Sequence, residues 1–425
     1  MAALSSPRIA VIGLGYVGLP LAVEFGKAYE TVGFDVSETR IAELLAGQDR
    51  TGEVGSDDLR AAHSLSFSDQ ASDMSSCTVY VITVPTPVDM SHQPNLGPLV
   101  AASETVGALL KRGDTVIYES TVFPGATEEV CLPILTKVSG LAFNDDFFIG
   151  YSPERVNPGD KERPITLIPK VTSGSSPEVA RFIDELYKSI IPAGTFPATS
   201  IKVAEAAKII ENTQRDVNIA LMNELSIVFS RLGIDTSEVI EAAATKWNFV
   251  RMHPGLVGGH CIGVDPYYLI HRAAVAGHIP DIIRISREIN DGMARHAAQL
   301  LVRTMTRKRL PIMDARILVL GVTFKENCPD IRNTKVIDLV RSMRDWGAAV
   351  DLHDPHATEQ EVLEEYGERL VEPGSDGTYH ALVLAVRHDE FVLKGATRLR
   401  RFLAPGGVFF DMKAVFPRNE IDLTL

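Results

Sequence analysis

Short β-branched and aromatic runs recur along the first third of the chain: RIAVIG (8–13), TVGFD (31–35), TVYVIT (78–83), DTVIYES (114–120) and FFIGYS (147–152). The stretches between them are long enough for crossover helices, the pattern of a parallel, doubly wound sheet. PERVNPGDKERPITLIPK (153–170), rich in proline and charge, reads as an ordered surface loop. The longest helical periodicity covers 200–232, with Ser200 placed to cap it and Gly233 to stop it. At roughly 1.5 Å per residue such a helix is about 50 Å long, more than one small domain requires. Further helical patterns cover 235–245, 266–276 and 281–309. A second strand series follows: RILVLG (316–321), AVDLHD (349–354), HALVLAV (380–386) and GVFFDM (407–412). The expected fold class is α/β, with a helical connector between two α/β parts, divided as 1–199, 200–310 and 311–425.

Length supports that division, because 425 residues exceed one ordinary core. Apolar content of 45% and charged content of 23% are globular values. The net charge of −13, with both signs interspersed, argues against nucleic acid or a membrane surface as a partner, since both need a basic face. A phosphorylated small ligand needs only a local basic pocket. Cys77, Cys131, Cys261 and Cys328 are far apart and form no C-x-x-C pair. Neither a disulfide framework nor a metal site is expected, and a reducing cytoplasm suits the chain. IAVIGLGYVGLPLAVEFG (9–26) is apolar enough for a signal-peptide core, but only Arg8 precedes it as a basic residue and no small-residue cleavage site follows.

That stretch carries Gly13, Gly15 and Gly18 instead, a G-x-G-x-x-G after the first strand and at the start of the next helix. Such glycines permit a tight turn and close backbone approach to a pyrophosphate, whose charge faces the helix N-terminus. Asp35 ends the second strand about 20 residues on, where an acid holds a ribose 2′-hydroxyl and repels a 2′-phosphate, so NAD is favoured over NADP. Gly13, Gly15, Tyr16, Val17, Gly18 and Asp35 are candidate cofactor contacts. Arg40 joins them, and is the one feature that suits NADP. Ligands of open α/β sheets bind outside the carboxyl ends of the strands, which adds Thr86 of VPTP and Ser120 and Thr121 of ESTV. Isolated hydroxyls at such places more often serve as helix caps.

Lys208 and Asn212 are four apart in a mostly apolar helical segment, hence on one face. Either the lysine snorkels to water, or the pair lines a cleft and stabilises negative charge on oxygen. GVTFKENCPDIRNT (321–334) has no G-x-G-x-x-G but brings Lys325 and Arg332 to a strand end, suited to phosphate or carboxylate or simply solvated. Cys328 in that run reads as a passive thiol. In GLVGGHCIGVDP (255–266), Cys261 stands on glycine-rich backbone, with His260 before it and Asp265 four residues after. A packing cysteine belongs in an apolar element, and the context leaves open what this one does on a glycine-rich loop.

In order along nearly the whole chain, GLGYVGLPLA, VPTP, YESTVFPG, YSPER, VAEAAKIIEN, GLVGGHCIGVDPYYL and GVTFKENCPDIRNT resemble the nucleotide-sugar 6-dehydrogenases, the UDP-glucose and UDP-N-acetylhexosamine dehydrogenases. The resemblance implies an N-terminal Rossmann NAD domain, a central helical dimerisation region and a C-terminal Rossmann-like domain for the UDP moiety, in a homodimer or higher homo-oligomer. It implies oxidation of a sugar C6 alcohol to a carboxylate by two NAD, with Cys261 as the nucleophile through a thiohemiacetal and a thioester. Lys208 and Asn212 would steady the oxyanions, and Asp265 would assist proton transfer with Lys208. Glu154 and Thr121 would place the hydrolytic water. Arg155, Gly258 and Lys325 would contact the UDP-sugar, and Arg332 would reach the cofactor side. Val264 stands where UDP-glucose members commonly carry lysine. With IENTQRDVNIALMNE, this resembles the branch acting on UDP-N-acetylglucosamine or UDP-N-acetylgalactosamine for surface polysaccharides. UDP-glucose and UDP-N-acetylmannosamine remain alternatives. A two-electron hydroxyacid dehydrogenase leaves Cys261 and the C-terminal α/β part unexplained, and a catalytically inactive NAD-binding regulator is at odds with intact Cys261, Lys208, Asn212 and Asp265.

Overall fold

A computed structural model describes residues 7–89, 92–156, 162–259 and 262–425, so Cys261 and His260 lie outside the described residues. The chain forms two compact units, Met1–Glu211 with Tyr267–His278, and Asn212–Pro266 with Ile279–Leu425.

The first unit is built on a sheet of β1 (Ile9–Ile12), β2 (Thr31–Phe34), β3 (Leu65–Ser68), β4 (Val79–Ile82), β5 (Thr115–Tyr118), β6 (Phe148–Tyr151), β7 (Lys170–Gly174) and β8 (Thr195–Pro197). Their spatial order is β3-β2-β1-β4-β5-β6-β7-β8. All pairs are parallel except β6 with β7. Every residue of β1, β4 and β5 is buried, as strands covered by helices on both faces require. One face packs Val11, Val81 and Ile117 with Leu19, Ala22 and Phe25 of helix α1 (Gly18–Ala28) and with Ile183 and Tyr187.

Five of these strands match the sequence pattern; three do not. β3 is a half-buried, serine-alternating edge and β8 has three residues ending in proline, so neither carries a strong apolar run. β7 begins inside the segment read as a surface loop. That reading is corrected at both ends: Glu154 and Lys170 are buried, because each finds a charged partner inside.

Helix α2 (Ile201–Leu232) starts in the first unit, where the Ser200 hydroxyl accepts the Val203 amide, 3.2 Å. Its remainder belongs to the second unit, with α3 (Thr236–Ala244), the first residues of α4 (Asp265–Val275) and α5 (Asp281–Arg307). The compact units thus divide the helical segment 200–310 between them. The second sheet is parallel, of β9 (Arg316–Leu320), β10 (Ala349–His353), β11 (Tyr379–Leu384) and β12 (Leu403–Asp411), in the order β10-β9-β11-β12. Ile317 and Val319 pack with Ala297, Leu301 and Met305 of α5 and with Val340 and Met343 of helix α6 (Val336–Asp345). Leu318 and Leu320 face the other way, to Phe391, Leu399 and Phe409, as the two-residue period of a strand dictates.

Candidate active site

In the first unit the glycine turn is open at its rim and tight at its base. Gly13 leaves β1 with φ +94°, and a side chain on Gly15 would meet nothing within 4 Å. A methyl on Gly18 would overlap the Gly13 carbonyl and the Thr83 hydroxyl, so this glycine lets α1 lie close to the strand. Tyr16 and Val17 are half-buried at the start of the helix. Asp35 accepts the Leu14 amide at 2.8 Å and the Ser37 amide at 2.9 Å. Bare backbone at a helix N-terminus beside an acid at the end of β2 fits a dinucleotide. Arg40 lies behind the turn, donating to the Leu14 carbonyl at 2.9 Å and to Asp49 at 2.7 Å. Thr86 and Ser120 tie the loops after β4 and β5 together, through Thr86 Oγ1 to the Thr121 carbonyl and Ser120 Oγ to the Val84 carbonyl, each 2.6 Å.

Glu154 follows β6. Its carboxylate accepts the Arg155 amide at 2.6 Å and the Val156 amide at 2.5 Å, and lies 3.5 Å from Lys170 Nζ. Lys170 also pairs with Glu119 at 2.6 Å, and the Tyr187 hydroxyl donates to Glu119. Burial pushes Glu119 up to about 6 against the pull of Lys170. Burial also opposes charge on Lys170, but the two carboxylates outweigh it and hold the ammonium above its ordinary value. Arg155 donates to the Pro169 carbonyl and pairs with Glu211, both at 2.8 Å. Lys208 is 7% exposed, so it does not snorkel to solvent.

In the second unit Asn212 Nδ2 donates to Asp265 Oδ2 at 2.5 Å, with the residues 8% and 1% exposed. Asp265 is the first residue of α4, where a carboxylate suits the helix dipole. Gly258 packs so closely on Asn333 that a Cβ would lie 2.7 Å from its carbonyl oxygen. A cleft at the carboxyl ends of β9 and β11 is lined by Leu256, Gly258, Thr323, Phe324, Glu326, Thr334, Lys335, Val336, Ala385, Val386 and Lys413. Burial lowers the Lys413 ammonium below its usual range, against the attraction of Glu326 and Asp411. Lys325 is half-buried beside this cleft in sequence, and Arg332 forks onto Asp330, with Nη2 at 2.6 Å.

Sequence reasoning passed over Glu119, Lys170, Asn223 and Lys413. Glu119 stood in the quoted YESTV run, and Asn223 repeats the asparagine of α2 eleven residues after Asn212. Cys77, Cys131 and Cys328 are buried. Burial pushes the Cys77 and Cys131 thiols up to about 11 and about 12, which keeps them out of thiolate chemistry. Among the described residues no group of three His, Cys, Asp or Glu side chains could hold a metal ion, and no helix is long and apolar enough to cross a membrane.

The whole chain is similar to known proteins. Three models of the UDP-glucose/GDP-mannose dehydrogenase family match it: the NAD binding domain over residues 7–191, the central domain over 202–292 and the UDP binding domain over 318–418. A UDP-N-acetyl-D-glucosamine 6-dehydrogenase of Pseudomonas aeruginosa is 55% identical over 418 residues, 98% of this chain and 99% of that one. One of Salmonella typhi is 51% identical over the full length of both. The solved UDP-D-ManNAc dehydrogenase of Pyrococcus horikoshii superposes with a TM-score of 0.87 at 31% identity, covering 97% of this chain and 96% of its own. The chain therefore belongs to the UDP-glucose/GDP-mannose dehydrogenase family, and is an NAD-dependent nucleotide-sugar 6-dehydrogenase.

Proposed function

We propose that this enzyme oxidises C6 of UDP-N-acetylglucosamine to the carboxylate, with Cys261 as the nucleophile, to supply a uronic acid donor for surface polysaccharide. The sugar follows from the relatives at 55% and 51% identity, both named for it. The chemistry is carried by one observation, the buried Asn212–Asp265 hydrogen bond of 2.5 Å, four residues along the chain from Cys261. Asp265 fixes how the Asn212 amide is turned, and its NH2 group carries a second N–H to offer an anionic oxygen. Bound NAD, held by Gly13, Gly15, Gly18 and Asp35, supplies the hydride acceptor for each of two oxidations.

In the first oxidation Lys208 and Asn212 steady the oxygen of C6 as its proton leaves, giving the aldehyde. The Cys261 thiolate adds to the aldehyde carbon to form a thiohemiacetal, whose oxyanion meets the same two donors. Loss of hydride from that adduct leaves a thioester, and covalent capture splits one hard oxidation into easier steps. Glu154, with Thr121, places the water that adds to the thioester, and Asp265 assists the proton transfers that free the thiolate. The C-terminal domain, with Lys325, takes the UDP moiety. Exposed Leu221, Val228 and Leu232 form an apolar stripe on α2 that suits pairing with a second copy, which a measured solution mass of two chains would support.

The test is NADH formed per sugar consumed, with limiting UDP-N-acetylglucosamine, UDP-N-acetylgalactosamine or UDP-glucose, for the wild type and Cys261→Ala. About two NADH per sugar, lost in the variant and fastest with UDP-N-acetylglucosamine, supports the reading, since a four-electron oxidation needs two acceptors. A ratio near one, unchanged by the substitution, sinks the covalent mechanism. A clear preference for UDP-glucose sinks the substrate.

A further inference from the structure

We infer that Asn223 is a positioning residue of this enzyme: its carboxamide fixes the Gly255 end of the glycine-rich loop that carries Cys261, and so governs the second oxidation more than the first. The inference rests on the reading of Cys261 as nucleophile.

Asn223 lies on α2 and is fully buried. Its side chain holds both backbone groups of one residue. Oδ1 accepts the Gly255 amide at 2.8 Å, and Nδ2 donates to the Gly255 carbonyl at 3.1 Å. No apolar side chain can replace that two-point contact, and a buried amide left unpaired costs free energy. The second Nδ2 hydrogen goes to Asn290 Oδ1, 2.8 Å away on α5. Asn290 Nδ2 in turn donates to the Asp216 carboxylate at 2.7 Å, which Arg287 approaches at 2.6 Å. Arginine only donates and aspartate only accepts, so the chain of bonds runs in one sense and both amides are locked against flipping.

The far end of the loop is pinned by the same helix. Asn212 holds Asp265, and Asn212 and Asn223 are eleven residues apart, about three turns, hence on one face and about 16 Å from each other. Gly258 lies against the Asn333 carbonyl, and Gly259, at φ +84°, leaves no room for a Cβ beside the Phe324 ring. A displaced Gly255 therefore moves the segment toward Cys261 rather than being absorbed before it.

The first oxidation needs no thiol; the second does. Loss of loop position alone should let the aldehyde form and then escape. The experiment uses full-length Asn223→Ala with NAD, UDP-N-acetylglucosamine and hydroxylamine as an aldehyde trap, measuring NADH and trapped aldehyde per sugar. The expected result is a first oxidation within about threefold of wild type, a second at least tenfold slower, and NADH per sugar falling from two toward one. A purely structural role lowers the amount of active enzyme and leaves that ratio at two; such a result, or an equal fall in both oxidations, overturns the inference. If Asn223→Ala does not fold, Asn223→Ser, which keeps one hydrogen-bonding group facing Gly255, is read in the same way. Cys261→Ala run in parallel separates the two ideas. Two NADH per sugar from that variant removes the cysteine mechanism, whereas loss of the second NADH there with an unaltered ratio in the Asn223 variants removes only the role of Asn223.

Discussion

Gly13 and Gly321 occupy matching places in the two sheets. Each leaves the carboxyl end of a central strand with φ +94°. Each donates its amide, at 2.8 Å, to the last residue of the neighbouring strand, Phe34 in one sheet and His353 in the other. Each is followed by an amide given to the acid after that strand, Leu14 to Asp35 at 2.8 Å and Val322 to Asp354 at 2.5 Å. From there they diverge. The first chain enters α1 at Gly18, while the second runs on without a glycine until α6 opens at Val336. Asp35 takes two backbone amides. Asp354 takes four, from Val322, Thr323, His356 and Ala357, and pairs with the buried His388 at 3.0 Å. His388 Nδ1 accepts the Asn327 amide, so Nε2 is the nitrogen that donates to Asp354. One strand-end turn thus keeps its rim bare for a ligand's charge. The other gives four loop amides to its own aspartate and uses it to hold a long loop.

The hardest way to break this contrast is Gly18→Ala. The added methyl has no space between α1 and the Gly13 carbonyl, so the helix must move off the strand. Overpacking against backbone costs about 3 kcal/mol. Thermal unfolding and NAD titration should show a clearly destabilised first unit and NAD affinity down at least a hundredfold; an unaffected affinity would mean that the turn does not bind the cofactor.

A smaller effect, of opposite location, is expected from Asp354→Asn. Burial raises the energy of the Asp354 charge, but the hydrogen bond from His388 and those from the backbone amides hold its carboxyl well below the ordinary range. A depressed folded pKa contributes stability that is present above the unfolded value near 4 and lost as pH falls below it. Asp354→Asn should therefore cost about 2–3 kcal/mol at pH 7 in urea unfolding, with the deficit shrinking below about pH 4. NAD binding should not change. A deficit that is flat with pH would show that Asp354 packs rather than carries charge.

The first turn was legible in the sequence because its job needs glycines at fixed spacing, and glycine is the one residue whose position reports backbone geometry directly. The second turn was not, because an aspartate, a histidine and four amides are supplied from 321 to 388 and no local spacing records their meeting. The same holds at the site. Lys208, Asn212 and Asp265 were visible as residue types in context. Their burial could not be read there, and the partnership of Asn212 with Asp265 across 53 positions comes from the fold of α2 against the first residue of α4. Lys170 was hidden for a different reason: proline and charge suggest a surface, and only the pairing with Glu119 and Glu154 makes a buried lysine tolerable. Long helices, with caps and sustained period, were found almost to the residue, whereas the short polar edge strands β3 and β8 were missed.

The mildest substitution sharpens the contrast most. Gly15→Ala adds a methyl that meets nothing within 4 Å, at a position whose φ is not in the left-handed region. The fold has no reason to object, and alanine reduces the freedom of the unfolded chain, so the melting temperature should stay or rise slightly, by up to about 1 kcal/mol of stability. The methyl nevertheless projects over the rim where backbone must approach a pyrophosphate. NAD should bind roughly tenfold more weakly, about 1.4 kcal/mol, with the KM for the UDP-sugar unchanged. Gly15 and Gly18 then separate two demands that the motif merges, access for the ligand and packing of the helix. If Gly15→Ala binds NAD as the wild type does, the open rim is not where the pyrophosphate lies, and the turn after β1 would be, like the turn after β9, a device for holding the chain.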